Sequence, residues 1–193
     1  MNYLNSFPES DLYCFEPNPV TFGILETRFK NNSRVHLHNI AVSDTNGISD
    51  FYCNKENPTD SLFLPAIAWM QWVDGKRDAL TLKSKINVLT TNLDTFCSSN
   101  SISKLDILKI DAQGAECLIL DGAKNLLSQH AIKIILAEMM FVPVYENQPF
   151  FFEICNKLAL HGYSLVNLYN IRYDEETSLQ IKWGDGLFIY RGW

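Results

Sequence analysis

What this 193-residue sequence lacks removes several classes of function. No apolar run reaches the ~18 residues that a membrane-spanning helix needs. Met1 to Ser10 has neither a basic start nor an apolar core, so it does not read as a secretory signal. Lys and Arg nowhere gather into a stripe and the net charge is −6, which argues against a nucleic-acid partner gripped through its phosphates. The five cysteines (Cys14, Cys53, Cys97, Cys117 and Cys155) form no C-x-x-C pair, as expected of reduced thiols in a cytoplasmic setting. A G-x-S-x-G elbow, a P-loop and a G-x-G-x-x-G fingerprint are all missing. Their absence takes away support for an activated serine, a triphosphate cradle and a dinucleotide-dependent oxidoreductase.

What is present fits one globular domain spanning 1–193. Its hydrophobic share of 47% is enough to bury a core. Leu12 to Glu16 reads as a strand cut off by Pro17, followed by an Asn18 cap and a helix from Pro19 with Phe22, Leu25 and Phe29 on one face. Val35 to Val42 is the next strand, then the polar turn from Ser43 to Gly47 and a strand from Ile48 to Cys53. Lys55 to Lys85 reads as an insertion. Its apolar centre, Leu62 to Val73 with Trp69 and Trp72, is either a cover over the upper edge of the sheet or a satellite cluster under a long loop.

Strand pattern resumes over Ile86 to Leu93 and again over Ile107 to Asp111. The stripe Ala115, Leu118, Ile119, Gly122, Ala123, Leu126 and Leu127 predicts one continuous helix. Ile132 to Met139 is apolar enough for a strand buried on both faces. A helix through Phe151 to Ala159, stopped by Gly162, and strands at Tyr163–Tyr169 and Leu187–Tyr190 close the chain. Cys117 and Cys155 fall on helix faces as small core hydrophobes. The alternation predicts an α/β fold: a mainly parallel sheet with helices on both faces and a C-terminal antiparallel strand.

Four acids, Glu16, Asp44, Asp111 and Glu138, fall at or near the carboxyl ends of strands, where open α/β sheets bind ligands. Each has an ordinary structural reading as well: a helix-dipole partner for Glu16, an Asx turn for Asp44 and a helix cap for Asp111. Glu138 is harder to explain that way, because a carboxylate that deep needs a partner. His36 and His38 share a strand face without an evident third ligand, so no metal site is expected. His130 and His161 sit near helix ends, where a cation is favourable.

Phe15-Glu16-Pro17-Asn18-Pro19, Asn39 to Asp44 with Gly47, Leu93-Asp94, Leu108 to Glu116, Gly122-Ala123, Ala137-Glu138 and Gly184-Asp185 together resemble the FkbM-type methyltransferases, in order over nearly the whole chain. That resemblance implies a class I methyltransferase (Rossmann-like) fold, S-adenosylmethionine as donor, and an oxygen of a small molecule or carbohydrate as acceptor. It implies that Glu16 holds the cofactor ribose with Asn18 nearby, that Ala41, Val42 and Asp44 lie around the adenine, and that Asp111 and Gln113 stand where cofactor and acceptor meet. Asp111 and Glu138 are then the catalytic candidates, with Glu116 supporting their loop.

One departure from the family pattern bears on the sheet. The family places a strand and a glycine-rich turn ahead of the Phe-Glu-Pro block, whereas Met1 to Asp11 contains no glycine. By that comparison the chain is N-terminally truncated. Its Leu12–Glu16 and Ile107–Asp111 strands must then pair directly or leave two open edges, which would favour a homodimer. A non-catalytic methyltransferase-like protein is the alternative expectation.

Overall fold

The computed structural model describes residues 3–66, 80–174 and 179–192. A short helix α1 (Tyr3–Ser6) precedes β1 (Leu12–Phe15) and α2 (Pro19–Phe29). Asn18 caps α2, its side-chain oxygen accepting Val20 N–H at 2.9 Å, and Pro19 takes the first helical position, as the sequence predicts. Phe22, Leu25 and Phe29 are only partly buried, so α2 lies against β2 (Val35–His38) without a closed core beneath it.

The strand expected over Val35 to Val42 is two strands in two sheets. β2 pairs with β1, and β3 (Ala41–Val42) pairs with β5 (Leu82–Thr91). Asn39 makes the break: its side-chain amide donates to the carbonyls of Glu16 (2.8 Å) and Pro17 (3.2 Å). β4 (Gly47–Asn54) runs antiparallel to β5 and completes a three-stranded sheet, β3-β5-β4.

α3 (Leu93–Ser99) leads to β6 (Leu105–Ile110), α4 (Glu116–Asp121), α5 (Lys124–Ser128), β7 (Ile132–Met140), α6 (Phe151–Ala159), β8 (Tyr163–Tyr173) and β9 (Ile181–Tyr190). The sheet order is β6-β7-β9-β8, with β6 parallel to β7 and β9 antiparallel to both its neighbours. The expected C-terminal antiparallel strand is therefore β9, inserted between β7 and β8.

The single helix expected over Ala115 to Leu127 is also broken, into α4 and α5. Gly122 packs so closely on the loop after β3 that an added Cβ would lie 2.1 Å from the Ser43 carbonyl oxygen. The Asp94 backbone N–H donates to Gly122 O, while the Asp94 carboxylate accepts Asn125 N–H (2.9 Å) and Leu126 N–H (3.0 Å). That carboxylate starts α5 as a new helix, since Ala123 offers no side-chain cap of its own.

The main core joins α3, α4, α5 and α6 to one face of this sheet through Ile110, Ile135, Ala137, Met139 and Phe188. Alternate positions such as Leu136 and Leu187 are only partly buried. β7 is thus closed on one face and half open on the other, whereas its apolar run alone suggested burial on both. Cys117 and Cys155 pack against this core as expected.

At the ends of the insertion, Leu62 joins a cluster with Phe51 and Val88, and Phe63, Ala66 and Leu80 pack on Met140, Val142 and Tyr145. The described part of this segment is therefore a satellite cluster; Trp69 and Trp72 lie outside the described residues.

β1 and β6 do not pair. Among the described residues, β1 has only β2 as a neighbour and β6 has only β7. Of the two arrangements the sequence left open, the structure shows the one with two unpaired strand edges. Phe96 of α3 links the two sheets, packing edge-on against Phe15 and His38 while also contacting the main core.

Candidate functional site

The loop after β6 carries the densest polar chemistry in the described chain. Ile110 is buried and anchors the strand end, so Asp111 emerges at the rim with its side chain about half exposed (49%). Gln113 (φ +52°) and Gly114 (φ +95°) both take left-handed backbone, which reverses the chain into α4. The conformation suits Gly114 but strains Gln113, and such strain persists only where the surroundings fix it. The close approach also needs glycine: a Cβ at Gly114 would sit 3.1 Å from the Tyr145 ring.

Glu116 holds the loop from below. Its side chain is 1% exposed, and one carboxylate oxygen accepts the backbone N–H of Ala112 (3.0 Å) and of Gly114 (3.1 Å). Burial pushes its pKa up to about 7, against these hydrogen bonds, which favour the charged form. Glu116 therefore orders the loop and is not offered to a ligand.

Gln113 links the two acids picked out from sequence. Its amide nitrogen donates to Asp111 Oδ1 at 3.0 Å and to Glu138 Oε2 at 3.0 Å. Glu138 stands on β7 directly opposite Asp185 of β9, a like-charge pair that would repel. Two features relieve it. Lys109 Nζ lies 2.8 Å from Asp185 and 3.5 Å from Asp111. Glu138 itself is pushed up to about 9, first by burial and then by Asp111, so it carries a proton at neutral pH.

Burial alone would lower the Lys109 ammonium, but Asp111 and Asp185 outweigh it and hold it above its ordinary value. Burial tends to raise Asp185, yet the hydrogen bonds from Lys109 and Asn170 win and leave it below the usual carboxylate range. The rim thus pairs an acid that keeps its proton, Glu138, with carboxylates that lie near a cation.

Glu16 directly follows β1. One of its oxygens accepts Asn18 N–H at 2.7 Å, and burial, partly offset by that bond, raises its pKa. The Asn18 side-chain amide donates to Asp60 at 2.7 Å, and Asp60 also accepts Asn54 N–H at 2.6 Å. The next residue, Ser61, donates its hydroxyl to the Gln113 carbonyl at 2.7 Å. The short 3-10 turn Asn57–Thr59 and the two residues after it therefore bridge the β1 end to the β6 end. Asn54, Asp60 and Ser61, each 9% exposed or less, were not picked out from sequence. Only their polarity beside apolar neighbours hinted at them, and such polarity is ordinary in a loop.

Asp111, Gln113 and Glu138 come together as expected, and Glu16 joins them indirectly. Asp44 does not: its carboxylate accepts the hydroxyls of Ser43 (3.1 Å) and Thr45 (3.4 Å), the local turn role anticipated as its ordinary reading. Ala41 is buried and Val42 packs against the main core. His36 and His38 stack on Tyr13 and Phe15 in an aromatic cluster, and His36 meets Asp11 at 3.2 Å. Among the described residues no group of three metal-binding side chains occurs, and no helix is long and apolar enough to cross a membrane.

Comparison with known proteins gives the family and the fold. A 2-O-methyltransferase, NoeI, of Sinorhizobium fredii (strain NBRC 101917 / NGR234) is 28% identical over 155 residues, which cover 76% of this chain and 60% of the relative. The chain thus spans 60% of the length of that curated relative. The crystal structure of an FkbM methyltransferase from Methylobacillus flagellatus superposes over 97% of this chain and 39% of that one, with a TM-score of 0.56 at 12% identity, a likeness of fold alone. The family model for the methyltransferase FkbM domain matches residues 2–165, and the chain belongs to that family.

Proposed function

We propose that this chain carries the site of an S-adenosylmethionine-dependent methyltransferase acting on a hydroxyl oxygen of a small molecule or sugar. The observation that carries the reading is the Asp111–Gln113–Glu138 arrangement: a half-exposed carboxylate and a partly buried one whose pKa is raised by burial, joined by a single carboxamide. The name of the Sinorhizobium relative supports O-methylation, and family membership supports a methyl donor of this type.

Glu16 fits the donor's ribose. It is a half-buried carboxylate with one oxygen bonded to Asn18 and acceptor capacity left over for hydroxyl groups. Asn18 fixes that carboxylate, and Ala41, Val42 and Asp44 are assigned to the adenine side by resemblance. When bound, S-adenosylmethionine supplies an electrophilic methyl group. The chain's own part is to align an acceptor oxygen with it, which is where much of the rate of such a transfer arises. Asp111 accepts the acceptor's hydroxyl proton, and Glu138, already protonated, donates a hydrogen bond that orients a neighbouring acceptor oxygen.

The unpaired edges of β1 and β6 favour a second reading, a methyltransferase-like domain that binds without transferring. Calorimetry with S-adenosylmethionine up to millimolar concentration separates the two. Saturable heat, with methyl transfer to a sugar panel abolished by Asp111→Ala at nearly unchanged stability, supports the first. No heat would sink the claim that this chain holds the donor, and unchanged turnover in Asp111→Ala would reduce Asp111 to a loop residue.

A further inference from the structure

Gln113 can link the two acids only while its carboxamide faces one way. A glutamine side chain turned by half a rotation presents its oxygen, not its nitrogen, to the same neighbours. Such a turn would set the oxygen against the Asp111 carboxylate and remove the N–H bond to Glu138. Asp111 opposes that turn but stands half exposed at the rim, and Glu138, holding a proton, could donate to the turned oxygen, so the two acids do not fix the amide by themselves.

Tyr145 occupies the remaining position. Its hydroxyl donates to Gln113 Oε1 at 2.8 Å, with Thr59 O as a second acceptor at 3.0 Å. The ring is 2% exposed and lies against Gly114, so the hydroxyl reaches Gln113 from a fixed base. That base is itself built. Gln148 accepts Tyr145 N–H (2.7 Å) and Val144 N–H (2.8 Å) and donates to Val142 O (2.9 Å), which locks the turn after β7. On the opposite side, Ser61 pins the Gln113 carbonyl. Burial and the surrounding carboxylates hold the phenol above its ordinary pKa, so it keeps its proton wherever the protein is folded.

We infer that Tyr145 is a positioning residue, whose hydroxyl fixes the Gln113 carboxamide in the orientation that gives one N–H bond to Asp111 and one to Glu138. Its role in turnover rests on the methyltransferase reading, but its effect on Gln113 does not. Tyr145→Phe keeps the ring and removes only the hydroxyl. The groups that act on Glu138, namely Asp111, Glu116, Lys109 and Asp185, all remain in that variant.

The test is NMR on protein labelled at glutamine side-chain nitrogens and glutamate carboxyl carbons. In the wild type the Gln113 amide should give two well-separated proton signals that exchange slowly with solvent. In Tyr145→Phe we expect that exchange to quicken at least roughly tenfold, the loss of one hydrogen bond of about 1.4 kcal/mol. Glu138 should then hold its proton about tenfold more tightly, because its charged form loses the Gln113 N–H. Unchanged Gln113 signals and an unchanged Glu138 titration would overturn the inference and show that the hydroxyl serves Thr59 alone. Where the wild type transfers methyl groups, kcat should fall about tenfold in Tyr145→Phe with KM for the donor unchanged, and an unaltered kcat would equally overturn it. A wild type without activity defeats the methyltransferase reading and leaves the NMR result to decide this one.

Discussion

Replacing Glu116 by alanine tests whether the site loop is held by one buried carboxylate. The substitution leaves the N–H groups of Ala112 and Gly114 without their acceptor, and Gly114 N lies in a buried setting. Two lost hydrogen bonds of about 1 kcal/mol each, together with about 1–3 kcal/mol for the buried donors and the emptied space, give roughly 4 kcal/mol. That sum applies while Glu116 is neutral, near pH 5. Against it stands the desolvation of the charge. Raising a carboxyl from its ordinary 4.5 to about 7 corresponds to roughly 3 kcal/mol.

The sign follows from proton binding. Between about pH 4.5 and 7 the folded wild type keeps a proton that the unfolded chain has released, so stability falls as pH rises through that window and levels off above it. The alanine variant lacks this dependence. Its deficit should shrink from roughly 4 kcal/mol at pH 5 to about 1 kcal/mol at pH 8. Glu116→Gln keeps an acceptor for both N–H groups and never ionises, so it should match the wild type within about 1 kcal/mol at pH 5 and equal or exceed it at pH 8. Urea unfolding of the three proteins from pH 5 to 8 measures this. A deficit that grows with pH, or a glutamine variant that follows the alanine one throughout, would refute the reasoning.

Two other outcomes follow from the geometry. Glu16→Ala removes the carboxylate proposed to take the ribose hydroxyls. It should weaken S-adenosylmethionine binding by roughly 1.5–3 kcal/mol, about 10- to 150-fold in Kd by calorimetry, and an unaltered Kd would return Glu16 to its role beside Asn18. Gly122→Ala forces a methyl group to 2.1 Å from the Ser43 carbonyl oxygen, a backbone atom that cannot step aside cheaply. A loss of about 3 kcal/mol or more in thermal or urea unfolding is expected, and a change under about 1 kcal/mol would mean that the α4–α5 break is not held there.

Much of the site was legible in the sequence, and particular residues show why. Asp111 follows a short apolar run and precedes Gly114, a strand-turn-helix signal that local residue types suffice to specify. Glu138 stood out because a carboxylate in an apolar strand is costly without a partner. Tyr145 and Ser61 gave no comparable signal, and Lys109 and Asp185 stood only inside blocks of the family resemblance, with no role attached to them. Tyr145 lies 32 positions beyond Gln113, and an isolated tyrosine in a loop has many ordinary uses. The division of Val35–Val42 was equally out of reach, since it depends on Asn39 reaching carbonyls 22 and 23 positions away.

By itself the sequence determined the kinds of element, their order and the acids near strand ends. These follow from period, caps and turn chemistry, all of which act over a few neighbouring residues. It did not determine the mixed sense of the sheets, where antiparallel pairs equal the parallel ones against the mainly parallel sheet expected. Only the tertiary structure decided which acids meet. Glu138 and Asp111 are joined through a strained glutamine and a distant tyrosine, while Asp44 turns back on its own neighbours. It also decided that β1 and β6 do not pair with each other among the described residues, and that one face of β7 remains half open. Contacts of this kind depend on where separate segments come to rest against one another, and no local pattern encodes that.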